Sequence, residues 1–203
     1  SSVNMILTDP PYGIKYAPER CVKLKNDQRR SALTLLRAFL TEARRVLRPG
    51  GCCLVFCFGG GRDPIFPDWI RLMQQNFAYK ATIVWDRLVA GRGAHYRNQF
   101  DFILVGKKRG AACVWNGEYQ TSNVLRAMRV QPNQADHPTP KPLELLRRLV
   151  ELHSDKGQIV LDPFAGHGST LIASAELGRK FIGIELDRKY CNAIVRKLNT
   201  ANF

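Results

Sequence analysis

The sequence lacks the patterns that mark several large classes of protein. No apolar run approaches the roughly 18 residues of a membrane span, and no basic segment followed by an apolar one opens the chain as a signal peptide would. The six cysteines include no Cys-x-x-Cys pair and no His-rich partner spacing, so we expect reduced core thiols and no metal site. These absences predict a cytoplasmic protein without a membrane partner.

Acidic residues are also scarce, and the chain is strongly basic as a result. Lys and Arg number 31 against 17 Asp and Glu, which gives a formal net charge of +14. Such a balance favours a polyanionic partner or an anionic ligand, although a generally basic soluble protein has the same composition. With 203 residues and 45% hydrophobic content, the chain 1–203 fits a single domain with a sizeable core.

Buried-strand patterns alternate with amphipathic helical patterns along the chain. Strands are predicted over residues 3–7, 52–58, 81–85, 100–105, 159–161 and 181–184. Helices are predicted over 32–47, 68–76, 142–155 and 169–177, and from Asp187 onward. The alternation predicts an α/β fold with a mainly parallel sheet. Between these elements, 14–30 and 87–98 are predicted as loops, and 110–136 as a small hairpin or an irregular excursion.

The segment Thr8-Asp9-Pro10-Pro11-Tyr12-Gly13 follows the first predicted strand. Two prolines stop that strand and leave Asp9 and Tyr12 on a stiff turn at its carboxyl end, where ligands bind in open α/β sheets. A carboxylate, a carbonyl oxygen and an aromatic ring on such a turn could hold a planar base that carries an amino group. An ordinary strand-to-loop turn has the same composition, so other segments must decide.

A second turn, Asp162-Pro163-Phe164-Ala165-Gly166-His167-Gly168-Ser169-Thr170, joins a strand to a helix. Its glycines allow a ligand to approach closely, and Ser169 and Thr170 can donate hydrogen bonds at the helix start. Glu185 ends the next strand 19 residues after Gly166, where an acid can bind a ribose diol. The turn lacks the spacing of a P-loop and the third glycine of a dinucleotide fingerprint. It predicts a nucleoside-cofactor site, with a ligand-free tight turn as the alternative.

Together these segments resemble the motifs of the S-adenosylmethionine-dependent DNA amino-methyltransferases, which modify adenine N6 or cytosine N4. Asp9-Pro10-Pro11-Tyr12 resembles their catalytic motif, the segment 162–168 their cofactor motif, and Thr139-Pro140-Lys141-Pro142 the element before the cofactor strand. The catalytic motif comes first, as in the permuted β group. The resemblance implies a Rossmann-like doubly wound, mostly parallel sheet with an antiparallel edge strand. Because the chain begins just before the catalytic strand, this sheet could lack one N-terminal edge strand.

The resemblance also implies roles for individual residues. Asp9 and the Pro10 carbonyl would hold the target amino group for in-line transfer, and Tyr12 would stack on the flipped base. Glu185 would bind the ribose hydroxyls and Lys141 the cofactor carboxylate, although a solvated lysine is equally compatible. The residues expected at the S-adenosyl-L-methionine site are Asp9, Lys141, Asp162, Phe164, Ala165, Gly166, Gly168, Ser169, Thr170 and Glu185.

Several polar residues of the predicted loops fit a DNA partner. Phosphate contacts supply affinity and position, whereas contacts with base edges would come from His95 and Asn98. For any one of the cations, solubility is the more ordinary explanation. The segment 110–136 is a candidate target-recognition insertion, although it is small for that purpose. The DNA-binding candidates are Lys15, Lys23, Lys25, Arg29, Arg87, Arg92, His95, Arg97 and Asn98.

The resemblance implies a site-specific DNA methyltransferase of a bacterium or phage, associated with the nucleoid and of the restriction-modification type. Asp rather than Ser at position 9 favours adenine N6 over cytosine N4 as the target. Open alternatives are cytosine N4 methylation, methylation of RNA or of a protein amide, and an inactive nucleic-acid-binding subunit with this fold. A homodimer, or a partner specificity or restriction subunit, is compatible with the sequence.

Overall fold

The computed structural model describes residues 1–13, 29–60, 64–91, 95–130 and 141–200. Its strands are Val3–Thr8 (β1), Leu47–Cys57 (β2), Ala78–Asp86 (β3), Phe100–Lys107 (β4), Val124–Arg126 (β5), Ile159–Asp162 (β6) and Lys180–Gly183 (β7). Its helices are Arg29–Val46 (α1), Phe66–Asn76 (α2), Leu143–His153 (α3), Ser169–Glu176 (α4) and Arg188–Thr200 (α5). The predicted alternation of strands and helices is confirmed.

The seven strands form one sheet in the order β5-β3-β4-β2-β1-β6-β7. Strand β1 pairs in parallel with β2 and with β6, and the pairs β6–β7 and β3–β5 are also parallel. Strand β4 is antiparallel to both of its neighbours, β2 and β3. The predicted α/β class is confirmed, but the predicted edge position of the antiparallel strand is wrong. Strand β4 lies inside the sheet because it folds back from β3 into the space beside β2.

Strand β2 shows why helices cover both faces of the sheet. Its side chains are buried along an apolar run, and Cys53 and Val55 pack with α1 and α2, whereas Leu54 and Phe56 pack with α3. Each helix contributes one apolar stripe, as Leu36 and Leu40 do for α1. The result is a doubly wound sheet with a core on each face.

The strand directions define two edges of the sheet with different contents. Strands β1, β2 and β6 end at one edge, and antiparallel β4 begins there, since Cys57 pairs with Phe102. We call this the carboxyl edge; it holds both predicted motifs and the loop between β3 and β4. The opposite edge, which we call the amino edge, lies about 20 Å away along a six-residue strand such as β1.

Two regions differ in detail from the sequence-based expectation. Helix α1 begins at Arg29 rather than at residue 32, and β2 begins directly after it at Leu47. The turn expected at 48–51 is a bulge within β2. Val3 of β1 pairs with Leu47 and Met5 pairs with Cys52, so β2 has extra residues between these two pairs. Helix and strand therefore meet through an irregular segment inside the sheet.

The segment 110–136 agrees with one of its two expected forms where the structure describes it. Apart from the short strand β5, its described residues form neither helix nor strand, so it is an irregular excursion and not a hairpin. The backbone N–H of Asn116 donates to the Leu152 carbonyl at 3.0 Å, and Trp115 packs on His153 with ring centroids 5.4 Å apart. Residues 110–121 therefore contact the end of α3 at the amino edge, away from the predicted catalytic turn. Strand β5 then runs toward the carboxyl edge, because it pairs in parallel with β3.

Among the described residues, no helix combines the length and apolarity needed to cross a membrane. The same residues bring no three metal-binding side chains together. Cys52, Cys53 and Cys57 are buried free thiols in β2. Burial raises the pKa of Cys53 far above its usual value, which keeps this thiol protonated and unreactive.

Candidate active site

The predicted catalytic turn is held firmly at the end of β1. The Tyr12 ring stacks on Phe58 at 6.2 Å and meets Trp69 edge-on at 5.7 Å between centroids. Gly13 has a φ of +75°, and a Cβ there would lie 2.6 Å from the Arg29 Cα. Only glycine allows the turn to pass this close to the start of α1. Packing on both sides therefore fixes the direction in which Asp9 projects.

Asp9, Tyr12 and Lys141 form a contiguous polar cluster. The Tyr12 hydroxyl donates to Oδ1 of Asp9, and the Lys141 ammonium pairs with Oδ2. The Lys141 side chain is 11% exposed and its Nζ lies 5.0 Å from the centroid of the Phe56 ring. Burial, and next the charge of Asp9, raise the pKa of Tyr12 well above its usual value, so the phenol stays a hydrogen-bond donor. Both oxygens of Asp9 therefore have a partner within the protein.

Sequence reasoning missed a second carboxyl group at this edge, that of Asp101. It is buried at the start of β4, accepts the Gly59 N–H at 3.2 Å and pairs with Nη1 of Arg87 at 3.3 Å. Burial raises the pKa of Asp101, and the Arg87 charge opposes that rise. An acid in the otherwise apolar run from Phe100 to Val105 was a signal that could have identified it.

The cofactor turn is joined to the catalytic strand by Asp162. Its buried Oδ1 accepts the Thr8 hydroxyl at 2.7 Å and the Phe164 N–H at 3.1 Å, and Thr170 also bonds to this carboxyl group. Burial raises the pKa of Asp162 to about 6. The carboxyl group thus faces the protein interior, so Asp162 supports the two turns rather than lining an opening between them.

The rest of the turn from β6 to α4 fits a nucleoside cofactor. Gly166 and Gly168 have φ values of +50° and +77°, which bend the backbone before the start of α4 at Ser169. The Gly166 and Asp187 N–H groups each donate to Glu185 at 2.8 Å. This holds a partly exposed carboxylate beside the glycine turn, a donor set suited to a ribose diol. The sequence-based prediction of a cofactor site at this turn therefore agrees with the geometry.

Two other residues of the predicted cofactor set pack into the protein. The Phe164 ring meets Phe39 of α1 edge-on at 5.5 Å between centroids. Ala165 is buried, and its N–H donates to the Ile184 carbonyl at 2.9 Å. These contacts attach the turn to α1 on one side and to the end of β7 on the other, which stabilises its shape.

The predicted DNA-binding residues fall into three groups. Lys15, Lys23, Lys25 and Arg92 lie outside the described residues. His95 and Arg97 are exposed at the carboxyl edge, as predicted.

Arg29, Arg87 and Asn98 are engaged within the protein. Arg29 pairs with Asp68 at 2.9 Å, and Arg87, 13% exposed, donates to the Asn98 carbonyl at 2.7 Å in addition to its pair with Asp101. The Asn98 amide nitrogen is buried and has no hydrogen-bond partner within the part of the chain that the structure describes. Arg87 thus anchors a loop, which differs from the phosphate contact expected of it.

Comparison with known proteins agrees with this geometry. A family model described as DNA methylase, for N6 and N4 methyltransferases, matches residues 3–196. The DNA adenine methyltransferase YhdJ of Escherichia coli K12 is 29% identical, over 99% of this chain and 78% of the relative.

Solved structures give the same result. The crystal structure of the M1.HpyAVI–SAM complex is 28% identical, with a TM-score of 0.73 over 97% of this chain and 89% of that one. The cytosine-N4-specific PvuII DNA methyltransferase shares the fold, with a TM-score of 0.74 at 16% identity over 96% of this chain and 78% of that one. The match of the family model over nearly the whole chain, on a structure that brings the catalytic and cofactor turns together, shows that this chain belongs to the N6/N4 DNA methylase family, whose members use S-adenosylmethionine.

Proposed function

We propose that this protein methylates the exocyclic N6 amino group of an adenine flipped out of DNA. The hydrogen bond between Thr8 and Asp162 carries the proposal, because it fixes the catalytic turn directly beside the cofactor turn. Bound S-adenosylmethionine supplies an electrophilic methyl group to this edge of the sheet. Holding donor and acceptor in a reactive geometry can contribute about 7 to 11 kcal/mol to lowering the barrier.

The residues of the catalytic turn act on the amino group. The Asp9 carboxylate and the Pro10 carbonyl accept its two hydrogens, so the nitrogen lone pair is directed toward the methyl group. When the amino nitrogen takes the methyl group that bound S-adenosylmethionine would supply, it releases one proton, which Asp9 accepts and passes to solvent. Tyr12, whose phenol stays neutral, stacks on the base.

We propose that Lys141 has one partner before the substrate binds and a different partner afterwards. Tyr12 and Lys141 already contact both oxygens of Asp9, and we propose that an incoming amino group displaces one of these two contacts. Lys141 is the partner that can turn away without unpacking an aromatic ring. Its ammonium then becomes available to the carboxylate of the cofactor, which is the contact expected of Lys141 from the sequence.

The choice of adenine rests on two supports. Asp occupies the first position of the motif, and the relative YhdJ is named a DNA adenine methyltransferase. We further infer that target recognition involves residues that follow β5, since Met128 is exposed there at the carboxyl edge. Association with a second copy of the chain, or with a specificity or restriction subunit, is a separate proposal on which the choice of base does not depend.

The test is product analysis. Purified protein is incubated with S-adenosylmethionine and mixed-sequence DNA, and the digested nucleosides are separated by mass spectrometry. We expect N6-methyladenine; N4-methylcytosine would overturn the choice of base, and absence of both would overturn DNA methylation. RNA and protein acceptors in parallel reactions test the alternative substrates.

Asp9→Ala tests the role of the carboxylate. We expect turnover to be lost while the dissociation constant for S-adenosylmethionine, measured by calorimetry, changes by less than about tenfold. The reason is that Asp9 contacts the amino group in the transition state, whereas Glu185 and the glycine turn bind the cofactor. Equal loss of turnover and cofactor affinity would show that Asp9 chiefly supports the site.

A further inference from the structure

The loop between β3 and β4, described over 87–91 and 95–99, presents an exposed aromatic side chain at the carboxyl edge, beside the candidate active site. Tyr96 is 95% exposed, although tyrosine usually buries much of its ring. Its neighbours His95 and Arg97 are exposed as well. No part of the proposed methyl transfer accounts for an aromatic ring projecting into solvent at this position.

The base of the loop is firmly held. The Arg87 N–H donates to the Gln99 carbonyl at 2.9 Å, and the Gly91 N–H to the Asn98 carbonyl at 2.8 Å. Arg97 closes the loop through a bond of 2.9 Å from its Nε to the Gly91 carbonyl. The structure therefore displays Tyr96 from a braced stem rather than from a loosely attached segment.

Backbone conformation also braces the loop. Leu88 adopts a left-handed φ of +61°, which is unfavourable for leucine, and its N–H donates to Asp86 Oδ1 at 2.9 Å. Gln99, on the opposite side of the stem, donates to the same oxygen at 2.9 Å. Left-handed residues other than glycine concentrate at functional sites, where surrounding contacts hold them.

The stem lies directly against the turn that neighbours the catalytic tyrosine. Gly60 is so close to Asn98 that a Cβ on it would lie 2.7 Å from the amide nitrogen. Gly59 donates to Asp101, which also pairs with Arg87 of the stem. Phe58, one residue earlier, stacks on Tyr12. A continuous set of contacts thus fixes the loop relative to Asp9 and Tyr12.

We propose that Tyr96 enters the DNA duplex at the position vacated by the target base and stacks on the neighbouring base pairs. This inference rests on the proposed function, since only a base that leaves the stack creates such a gap. Side chains that fill or wedge open a base step offset part of the cost of unstacking. The basic charge of the chain, with Arg97 adjacent to Tyr96, suits the phosphates on either side.

The experiment compares two duplexes that carry the sequence methylated by the wild-type protein. One duplex is fully paired, and the other has an abasic site opposite the target, so that flipping costs less. For Tyr96→Ala we expect kcat/KM to fall by about 5- to 150-fold on the paired duplex, the range for loss of one aromatic stacking contact. On the abasic duplex, activity should return to within about threefold of wild type.

Two further variants separate stacking by the ring from general effects of substitution. Tyr96→Phe keeps the ring and should retain wild-type activity on both duplexes. Tyr119, which is 101% exposed in the segment packed at the amino edge, offers a matched control. Tyr119→Ala should leave kcat/KM unchanged on both duplexes. The affinity of Tyr96→Ala for S-adenosylmethionine, measured by calorimetry, should equal that of wild type. This measurement checks that the variant is folded.

The outcomes separate this inference from the proposed function. If wild type methylates DNA and Tyr96→Ala is unchanged on the paired duplex, the inference is wrong and the function stands. Equal losses on both duplexes would also overturn it, because Tyr96 would then act on something other than base extrusion. Absence of methylation by wild type in the same assay would overturn the proposed function itself.

Discussion

At the scale of single residues, the buried carboxyl group of Asp162 links the catalytic strand to the cofactor turn. Its hydrogen bonds from Thr8, Phe164 and Thr170 favour the ionised form, but burial outweighs them and raises the pKa to about 6. The folded protein therefore retains this proton at pH values where an unfolded chain, with the usual pKa of 3.8, has lost it. Ionising Asp162 in the folded state consequently costs stability.

The pH dependence of stability tests this assignment. As the pH rises from about 4 to about 6.5, the free energy of unfolding of wild type should fall by about 2 kcal/mol relative to Asp162→Asn, because this range covers most of the interval between the two pKa values, at about 1.36 kcal/mol per unit. The asparagine keeps an acceptor for Thr8 and Phe164 but does not titrate. Urea unfolding of both proteins across this pH range measures the difference, and parallel curves would contradict the assignment.

Motif spacing was enough to predict which residues gather at the carboxyl edge, but not which of them touch. Asp9 and Asp162 were placed correctly because each follows an apolar strand pattern. The ion pair between Lys141 and Asp9 spans 132 positions in the chain, and no local pattern encodes it. Asp101 was missed for a related reason: its partners Arg87 and Gly59 come from two other segments.

At the scale of elements, the turn from β6 into α4 depends on glycine for two separate reasons. Gly168 has a φ of +77°, and a Cβ there would lie 2.9 Å from Cγ1 of Ile194 in α5. A side chain would therefore strain the backbone and also displace α5. Gly157, in the turn between α3 and β6, has a nearly equal φ of +78°, but a Cβ there would meet nothing within 4 Å. Comparing substitutions at the two glycines therefore separates the effect of backbone strain from that of side-chain crowding.

The prediction compares alanine at these two positions. Gly157→Ala should lower the free energy of unfolding by about 1 to 2 kcal/mol through backbone strain alone. Gly168→Ala should lower it further, by at least about 1 kcal/mol, and should weaken S-adenosylmethionine binding severalfold because the cofactor turn shifts. Denaturant unfolding and calorimetry measure both quantities. Equal stability losses, with cofactor affinity unchanged in both variants, would show that α5 accommodates the methyl group.

Element types were predictable because apolar periodicity is local, whereas strand order is not. The apolar run in β2 indicated a strand covered on both faces, and the structure confirms it. The interior position of β4 depends on where the chain folds back after β3, which hydrophobic periodicity does not record. The placement of 110–121 at the amino edge likewise depends on distant contacts, such as those of Asn116 with the carbonyl groups of Glu151 and Ser154.

At the scale of the whole molecule, the net charge of +14 does not by itself say where DNA binds. Both edges of the sheet carry exposed arginines: Arg97 lies at the carboxyl edge, and Arg109 follows β4 at the amino edge. If affinity depended on net charge alone, the two residues would contribute equally. If DNA lies across the carboxyl edge, only Arg97 is near enough to contact phosphate.

Matched substitutions distinguish these two cases, because Arg97→Gln and Arg109→Gln remove the same charge. We expect Arg97→Gln to weaken DNA binding at every salt concentration and to reduce the slope of log K against log salt by about 1, the loss of one phosphate contact. Arg109→Gln should leave that slope unchanged, since the amino edge faces away from the duplex. Fluorescence anisotropy with labelled duplex, at salt concentrations from about 50 to about 200 mM, measures both slopes. Equal changes in the slope for the two variants would show that DNA affinity depends on the overall charge of the molecule and not on contacts at the edge that carries Asp9.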